Sequence, residues 1–364
     1  MTSFTHLGLD VHKDSIAVGV LRPDGVVPDF RMIDNTPEAL TKLVRKMDRP
    51  EHLVACYEAG PTGYDTYRLL TSLGVRCDVI APALIPRRPG QRVKTDRIDA
   101  RNLARLHRVG ELTTIRIPTP QEEALRDLVR AREHLKDDRR RAQQRVKSFL
   151  LRHGRRFPGG TRGWTRRFDE WVRSQRFDDP AAQLTFRHYL SARDLRTTQL
   201  GQIDAELDRA AEQPPLLEPV ARMRCLKGID TLSAATIQAE VCDFRRFATA
   251  PAFMGFTGLV PSEHSSGDRE HRGSITKSGN RHLRRVLVEA AWSYRHRPNV
   301  SPKLRARMQG EGADVLAFCW KGQVRLHARF HRVAARRGRN KAAVAVAREL
   351  AGFVWALMLD RIES

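Results

Sequence analysis

The sequence predicts an α/β domain followed by mainly α-helical regions. In the first hundred or so residues, short apolar strand-like runs alternate with segments of helical periodicity. From Pro118 onward, long charged segments with helical spacing dominate. The 364 residues, 41% of them hydrophobic, suffice for two or three domains with real cores. We therefore expect domains at 1–117, 118–212 and 213–364.

The N-terminal region begins with two strand-like runs joined by a polar turn at His12–Asp14, and the run VVPDFRMID continues this meander. Helical spacing follows at Thr36–Met47 and again at 62–73. The runs HLVACYEA and VRCDVIAP are typical of buried strands. A hairpin followed by alternating helices and strands predicts a mixed sheet flanked by helices, as in RNase H-like folds. Other α/β folds share this periodicity.

The middle region predicts two long helices, at about 118–151 and 181–211, packed antiparallel as a coiled coil with a connecting tip. The tip is basic and contains Trp164 and Trp171, which either stack on bases or hold together a small core. Basic residues of the first helix either contact nucleic acid or form a solvated face. They include Arg139, Arg140 and Arg145.

The C-terminal region begins at a boundary at Gln213–Pro215. The segment CLKGIDTLSAATIQAEV predicts a helix-hairpin-helix with a turn around Gly228 and a helix starting near Thr231. The polar, Gly-rich segment PSEHSSGDREHRGSITKSGN predicts a loop. Helices are expected from about Ser301, the last at about 341–359.

The charge balance favours a polyanionic partner. With 65 Lys and Arg against 42 Asp and Glu, the formal net charge is +23, and phosphates neutralised by such cations release condensed counterions. A ribosomal-type basic protein or a membrane-surface protein would be the alternatives. The sequence predicts no transmembrane helix and no secretory signal. The five scattered cysteines indicate reduced core residues of a cytoplasmic protein.

Four acidic residues predict a metal-dependent site for phosphoryl transfer, which needs carboxylates on a rigid frame. Asp10 lies inside the first apolar strand, and Glu58 stands at the end of the second buried run. Asp96 and Asp99 are three apart at a helix start, which places them on one helix face near the positive end of its dipole. Singly, each has a structural alternative: an N-cap for Asp96, a first-turn acid for Asp99 and a turn residue for Glu58.

These residues lie in motifs that resemble a known family. GLDVHKDS, YEAGPTGYDTYRLL and KTDRIDARNLARL are similar to the three acidic motifs of the DEDD transposases of the insertion-sequence-110 family. The segment from LKGIDTLSAATIQAEV to SITKSGNRHLRRVLVEAAW resembles the C-terminal transposase domain of that family. The resemblance runs from about residue 5 to 295.

The resemblance implies a RuvC-like domain, a coiled-coil insert and a transposase domain that supplies a catalytic serine. That serine follows a Gly-Leu-x-Pro segment and precedes a glycine, which assigns it to Ser266, with Ser265 as the alternative. From composition alone, Ser266 would be an ordinary turn serine. Basic and amide residues in the matched motifs are expected phosphate contacts, with a solvated basic face as the alternative. They are Lys94, Lys277, Asn280, Arg281, Arg284 and Arg285.

The implied function is excision and insertion of a mobile DNA element. The four acids would hold Mg²⁺, with Mn²⁺ as a substitute, and Ser266 would form a covalent phosphoserine link to DNA. The resemblance also implies a structured bridge RNA that pairs with donor and target DNA, and dimers that assemble into a tetramer. Two alternatives follow from the residues themselves. One is a RuvC-like junction endonuclease that hydrolyses branched DNA, and the other is a non-catalytic nucleic-acid-binding protein.

Overall fold

A computed structural model describes residues 4–47, 49–86, 95–160, 163–263 and 272–362. The chain divides into two compact units, and the boundary falls between Pro118 and Thr119. Unit 1 lies before this boundary and unit 2 after it. In the described part of the chain, no helix combines the length and the apolar character needed to cross a bilayer.

Unit 1 is built on a five-stranded mixed sheet in the order β3-β2-β1-β4-β5. The first three strands form an antiparallel meander, and β4 and β5 are added parallel to β1. This confirms the predicted mixed sheet with flanking helices. The strands are β1 (Thr5–Val11), β2 (Ser15–Leu21), β3 (Asp29–Asp34), β4 (Leu53–Glu58) and β5 (Arg76–Ile80), and the helices are α1 (Pro37–Arg45), α2 (Asp65–Ser72) and α3 (Asp96–Arg108).

Helix α3 packs closely against β1 and β2 because two glycines face it. Gly8 and Gly19 are paired across the two strands. A Cβ atom at Gly8 would lie 2.2 Å from the carbonyl oxygen of Ala100, and one at Gly19 would lie 2.5 Å from the same oxygen. Any side chain at these positions would push the helix away from the sheet. The glycine pair therefore determines how near α3 comes to β1 and β2 around Ala100.

Unit 2 is mainly helical. Its core joins buried side chains from α7 to α10 and from α12 and α13, and a small β-hairpin interrupts the helices. The helices are α4 (Pro120–Arg152), α5 (Arg166–Ser174), α6 (Pro180–Ala211), α7 (Leu217–Met223), α8 (Thr231–Val241), α9 (Ala250–Thr257), α10 (Arg281–Ala291), α11 (Pro302–Arg307), α12 (Ala313–Arg337) and α13 (Arg339–Met358), and the strands are β6 (Pro261–Glu263) and β7 (Arg272–Ile275).

The long helices α4 and α6 pack antiparallel. Arg132 of α4 pairs with Asp204 at 2.5 Å, and Asp138, further along α4, lies 4.0 Å from Arg196, which comes earlier in α6. Thr119 forms a capping box with Glu122 and so fixes the start of α4.

The tip that connects α4 and α6 contains α5 and a small aromatic core. Trp164 and Trp171 pack on Phe168, with ring centroids 5.2 and 5.6 Å apart. The indole Nε1 of Trp164 donates a hydrogen bond to Asp169 at 2.7 Å, and Arg193 stacks on the Trp164 ring. Of the two interpretations of these tryptophans, the structure supports the core.

Two segments of unit 2 refine the expectations. The turn before α8 has Gly228 at φ +92° and Asp230 as N-cap, as the helix-hairpin-helix pattern predicts. The segment that starts at Pro261 was expected to be a loop throughout. It instead contains two short strands, β6 and β7. The loop prediction was therefore wrong at Pro261–Glu263 and Arg272–Ile275, where backbone pairing closes a hairpin.

Candidate metal centre and nucleic-acid contacts

Asp10, His12 and Asp96 form a cluster of metal-binding type in unit 1. One ligand atom from each lies within 4.8 Å of the other two. The Nε2 atom of His12 lies 3.3 Å from Asp10 Oδ2 and 3.5 Å from Asp96 Oδ1. The Asp10 side chain is 21% exposed, against 46% for His12 and 52% for Asp96. The cluster is therefore open to solvent on one side and anchored on the sheet on the other.

Local structure places each member of this cluster. Asp10 follows Gly8 by two positions on β1, so strand alternation turns both toward α3. His12 begins the β1–β2 turn, where Asn35 Nδ2 donates a hydrogen bond to its carbonyl oxygen at 2.7 Å. Asp96 is the first residue of α3, and the hydroxyl of Thr95 caps that helix by accepting from Ile98 N. The proposed N-cap role of Asp96 is thus filled by Thr95.

Glu58 and Asp99 lie near this cluster in the fold but outside the group of three. Glu58 ends β4, which runs parallel to β1 with Leu9 opposite Tyr57, so Glu58 is next in register to Asp10. It shares a strand face with Cys56, whose thiol contacts the Leu103 carbonyl oxygen of α3. Asp99 is one turn into α3 and half-buried. The C-terminal ends of β1 and β4 and the start of α3 thus place all four acids on one side of the sheet.

The donor set suits a divalent cation. The two carboxylates supply the hard oxygen ligands that Mg²⁺ and Mn²⁺ prefer, and the imidazole of His12 adds a nitrogen of the kind that transition-metal ions take. The end of β4 and the first turn of α3 also carry the carboxylates of Glu58 and Asp99. Asp96 and Asp99 also lie in the first turn of α3, at the positive end of its dipole.

Sequence reasoning missed His12. It was interpreted only as part of a polar turn, although it stands two positions after Asp10, the spacing that puts two side chains on one face of a strand. The D-x-H spacing at the end of an apolar strand was the available signal.

Ser266 and Lys94 lie outside the described residues. The hairpin that flanks Ser266 is, however, described at its base. Gly258 has φ +67°, and a Cβ atom there would lie 2.2 Å from the Ser278 carbonyl oxygen. Gly279 has φ +93°, and a Cβ atom there would lie 2.2 Å from the Phe256 carbonyl oxygen. The chain around Gly258 and the chain around Gly279 therefore lie in direct backbone contact, which only glycine permits at these positions.

The predicted basic contacts on α4 lie at a groove of mixed charge. The groove has a volume of about 510 Å³ and is lined by Lys136, Arg139, Arg140 and Gln143, among others, together with the carboxylates of Glu133, Asp137 and Glu289. Arg140 lies 3.4 Å from Asp137. Arg145 is exposed further along the helix.

Two of the residues expected at phosphates on α10 are bonded to carboxylates inside unit 2. Asn280 caps α10 with its Oδ1 atom and donates from Nδ2 to Glu240 at 2.6 Å. Glu240, whose side chain is 1% exposed, also accepts two bonds from Arg130, at 2.8 and 3.0 Å. Arg285 donates to Glu133 at 2.7 Å, and the same carboxylate contacts His282 at 2.5 Å.

The remaining residues of this set differ in their surroundings. Arg284 donates to the Thr257 carbonyl oxygen at 3.0 Å. Arg281 and Lys277 are exposed, and Lys277 has φ +56° at the base of the hairpin. Lys277 and Arg281 thus present their cationic groups to solvent, as a phosphate contact requires.

The carboxylates of this network are stabilised in their charged form. Burial by itself raises the pKa of Glu240, but the hydrogen bonds from Arg130 and Asn280 outweigh it and bring the pKa below its ordinary value. The pKa of Glu133 is lowered in the same way against its burial, by His282 and Arg285. These acids are ionised structural partners and hold α4, α8 and α10 together.

Comparison with known protein families gives two matches along the chain. A transposase profile of the DEDD type, named for the insertion sequence IS110, matches residues 7–154. A second profile, described as the transposase IS116/IS110/IS902 family, matches residues 220–309. The first match contains all four acids, and the second contains Ser266 and the start of α10.

Individual relatives agree along most of the chain. The chain is 41% identical to the transposase-like protein y4qE of Sinorhizobium fredii, over 96% of this chain and 87% of the relative. It is 32% identical to the transposase for insertion sequence element IS1533 of Leptospira borgpetersenii, over 91% of this chain and 97% of the relative. The transposase for IS1111A of Coxiella burnetii is 24% identical, over 80% of this chain and 74% of the relative.

Proposed function

Because the chain belongs to the IS110 family of transposases, which are enzymes acting on DNA, we propose that it excises and inserts an insertion-sequence element by metal-assisted, serine-mediated strand exchange. The observation that carries the proposal is the convergence of Asp10 and Asp96 with His12 at the sheet edge. Carboxylates from a strand and from a helix start meet there although 86 positions separate them.

In this proposal, Asp10, Glu58, Asp96 and Asp99 hold Mg²⁺, for which Mn²⁺ can substitute. When bound, the cation would neutralise charge on the scissile phosphate and position it. The strand and helix that carry the ligands keep them in place, because the Gly8–Gly19 pair lets α3 lie against the sheet. His12, between the two aspartates, orients the carboxylates and offers a nitrogen ligand.

Ser266 supplies the nucleophile. Its hydroxyl oxygen attacks phosphorus, the bond to the 3′ oxygen breaks, and the proton lost by the serine is balanced by the proton that the 3′-hydroxyl gains. The product is a phosphoserine–DNA link that keeps the phosphoester energy for rejoining. The metal ligands belong to unit 1 and the serine to unit 2, so each unit supplies one part of the reaction.

The family further suggests a guide and an assembly. We assign the choice of sequence to a structured bridge RNA that pairs with donor and target DNA, with the protein holding backbones. The long helices of residues 118–212 would act as a separate domain that joins copies into dimers and a tetramer. Their antiparallel pairing within one chain gives a rigid arm for that purpose.

A denaturing gel tests the serine mechanism. Supercoiled or branched DNA carrying the element ends is incubated with wild-type protein, S266A, S265A and D10A, with its bridge RNA and Mg²⁺. We expect covalent protein–DNA product with wild type and S265A, none with S266A or D10A, and none in EDTA. Nicks without attached protein would instead identify a RuvC-like hydrolase, and the absence of metal-dependent nicking would identify a non-catalytic binding protein. Normal strand exchange by S266A would exclude the serine.

A further inference from the structure

A second charged surface lies in unit 2, on α12 and α13. The sequence from Val315 to Arg348 contains nine Lys and Arg residues and no Asp or Glu. Such a run in the last helices is not explained by the metal site, by the hairpin of Ser266 or by the contacts of α10.

The cations of α12 form one stripe. Lys321, Arg325, Arg329, Arg332 and Arg336 follow each other at steps of four, four, three and four residues, so they lie on one helix face. The stripe extends over about 22 Å at 1.5 Å per residue. Four of its members are exposed, and Arg329 is half-buried. The opposite face, with Leu326 and Phe330, packs into the core.

The stripe continues into a groove between α12 and α13. The groove has a volume of about 340 Å³ and is lined by the cations Arg329, Arg332, Arg336, Arg337 and Lys341, with Val333 and Ala345 at its floor. Glu349 lies 3.7 Å from Arg325 and 3.5 Å from Arg329. Within the described ranges, no carboxylate forms an ion pair with Arg332, Arg336 or Lys341.

The composition of the groove indicates the kind of ligand. The groove between α12 and α13 differs from the groove on α4, where three carboxylates offset the cations. Its lining contains no aromatic side chain on which single-stranded bases could stack, and no Asn or Gln that reads adenine edges. A straight row of point charges on a rigid helix suits the evenly charged backbone of a duplex, which carries one charge per about 1.7 Å of axis.

We propose that the α12–α13 surface binds the phosphate backbone of duplex DNA without reading its sequence. The surface goes beyond the metal and serine chemistry proposed above and contains none of the residues proposed for that chemistry. It supplies binding energy through counterion release, while sequence choice lies elsewhere.

The test compares two triple variants of the full-length protein. R332A/R336A/K341A removes three cations of the surface, and K42A/R45A/K46A removes three exposed cations at the C-terminal end of α1, so both lose the same formal charge. Binding to a fluorescent 30-base-pair duplex of mixed sequence is measured by anisotropy at several salt concentrations in EDTA, without bridge RNA. Circular dichroism checks that each variant is folded.

We expect the α12–α13 variant to bind about 10- to 100-fold more weakly at 0.1 M salt, with a salt dependence reduced by about two to three phosphate contacts. The α1 variant should change less than threefold, and R332K/R336K should retain most of the affinity. Equal loss in both triple variants, no loss in the first, or no duplex binding by wild type would overturn the proposal. An RNA hairpin of equal length is measured in parallel. If the α12–α13 variant lost affinity only for this RNA, the surface would be assigned to RNA and the proposal would be overturned as well. Failure of the proposed cleavage chemistry would leave this binding result unchanged, because no cleavage is measured.

Discussion

Two clusters of the molecule each combine two carboxylates with a histidine and have opposite properties. In unit 1, Asp10 and Asp96 meet His12 at a partly exposed sheet edge. In unit 2, Glu133 and Glu240 meet His282 within a network that contains Arg130, Arg285 and Asn280. In the second cluster arginine satisfies the carboxylates, and burial excludes water from Glu240. The difference indicates that the partner and the exposure of a carboxylate determine whether it is available to a metal.

The largest expected effect separates the clusters by stability. Glu240→Ala leaves Arg130 and Asn280 without their buried partner, and we expect the free energy of unfolding to fall by about 3 kcal/mol. Asp96→Ala, at an exposed position, should change it by less than about 1 kcal/mol. Urea unfolding followed by circular dichroism measures both. Equal losses in the two variants would remove the distinction drawn between the clusters.

The next prediction concerns the glycine that positions the metal cluster. Gly8→Ala places a Cβ atom against the backbone of α3, so we expect a loss of about 2 kcal/mol in stability and a loss of metal-dependent cleavage. Gly201→Ala on α6, where a Cβ atom meets nothing within 4 Å, is the matched control. It should be neutral or stabilise by up to about 1 kcal/mol. A Gly8→Ala protein with wild-type cleavage would show that close packing of α3 is dispensable.

Acid should affect the two units in different pH ranges. Burial, and then the neighbouring His107, lower the pKa of His6 on β1 to about 4. The fold favours the neutral imidazole of His6. The contribution of His6 to stability is therefore complete above pH 6.5 and is lost as the pH falls toward 4. After allowance for solvent screening, we expect the free energy of unfolding of unit 1 to fall by on the order of 1–2 kcal/mol over this pH range.

The unit 2 carboxylates respond at lower pH. The pKa values of Glu133 and Glu240 are lowered, so their contribution is present above about 4.5 and disappears only as the pH falls further. Hydrogen exchange of α3 peptides and of α8 and α10 peptides, followed from pH 7 to 3.5, distinguishes the two ranges. His6→Asn should reduce the pH dependence of hydrogen exchange in the α3 peptides only. Exchange that increases in α8 at a higher pH than in α3 would contradict the assignment.

The smallest effect is expected at His12. His12→Ala removes the residue that contacts both aspartates, and we expect Mn²⁺ to bind about three- to tenfold more weakly, with stability unchanged within about 0.5 kcal/mol. Paramagnetic titration measures the affinity, and His52→Ala in the same unit is the control. Unchanged Mn²⁺ affinity would show that Asp10 and Asp96 act without His12.

The fold of unit 1 was largely predictable because its signals are local. Apolar runs bounded by turns gave the five strands, and Thr36 with Pro37 gave the start of α1. The acids could be assigned to strand ends and a helix start for the same reason. The hairpin β6–β7 was missed since its strands are short, polar and rich in serine and glycine, which is the composition of a loop.

By itself the sequence determined the order of elements, the placement of Asp10, Glu58, Asp96 and Asp99 on them, and the family. These depend on periodicity and motif, which are properties of neighbouring residues. Only the tertiary structure decided that His12 joins Asp10 and Asp96, and that Asn280 and Arg285 are committed to Glu240 and Glu133. The contacts of Asn280 and Arg285 join residues that are 40 and 152 positions apart in the sequence. Whether a charge meets a partner or solvent depends on packing between elements, which local sequence patterns do not contain.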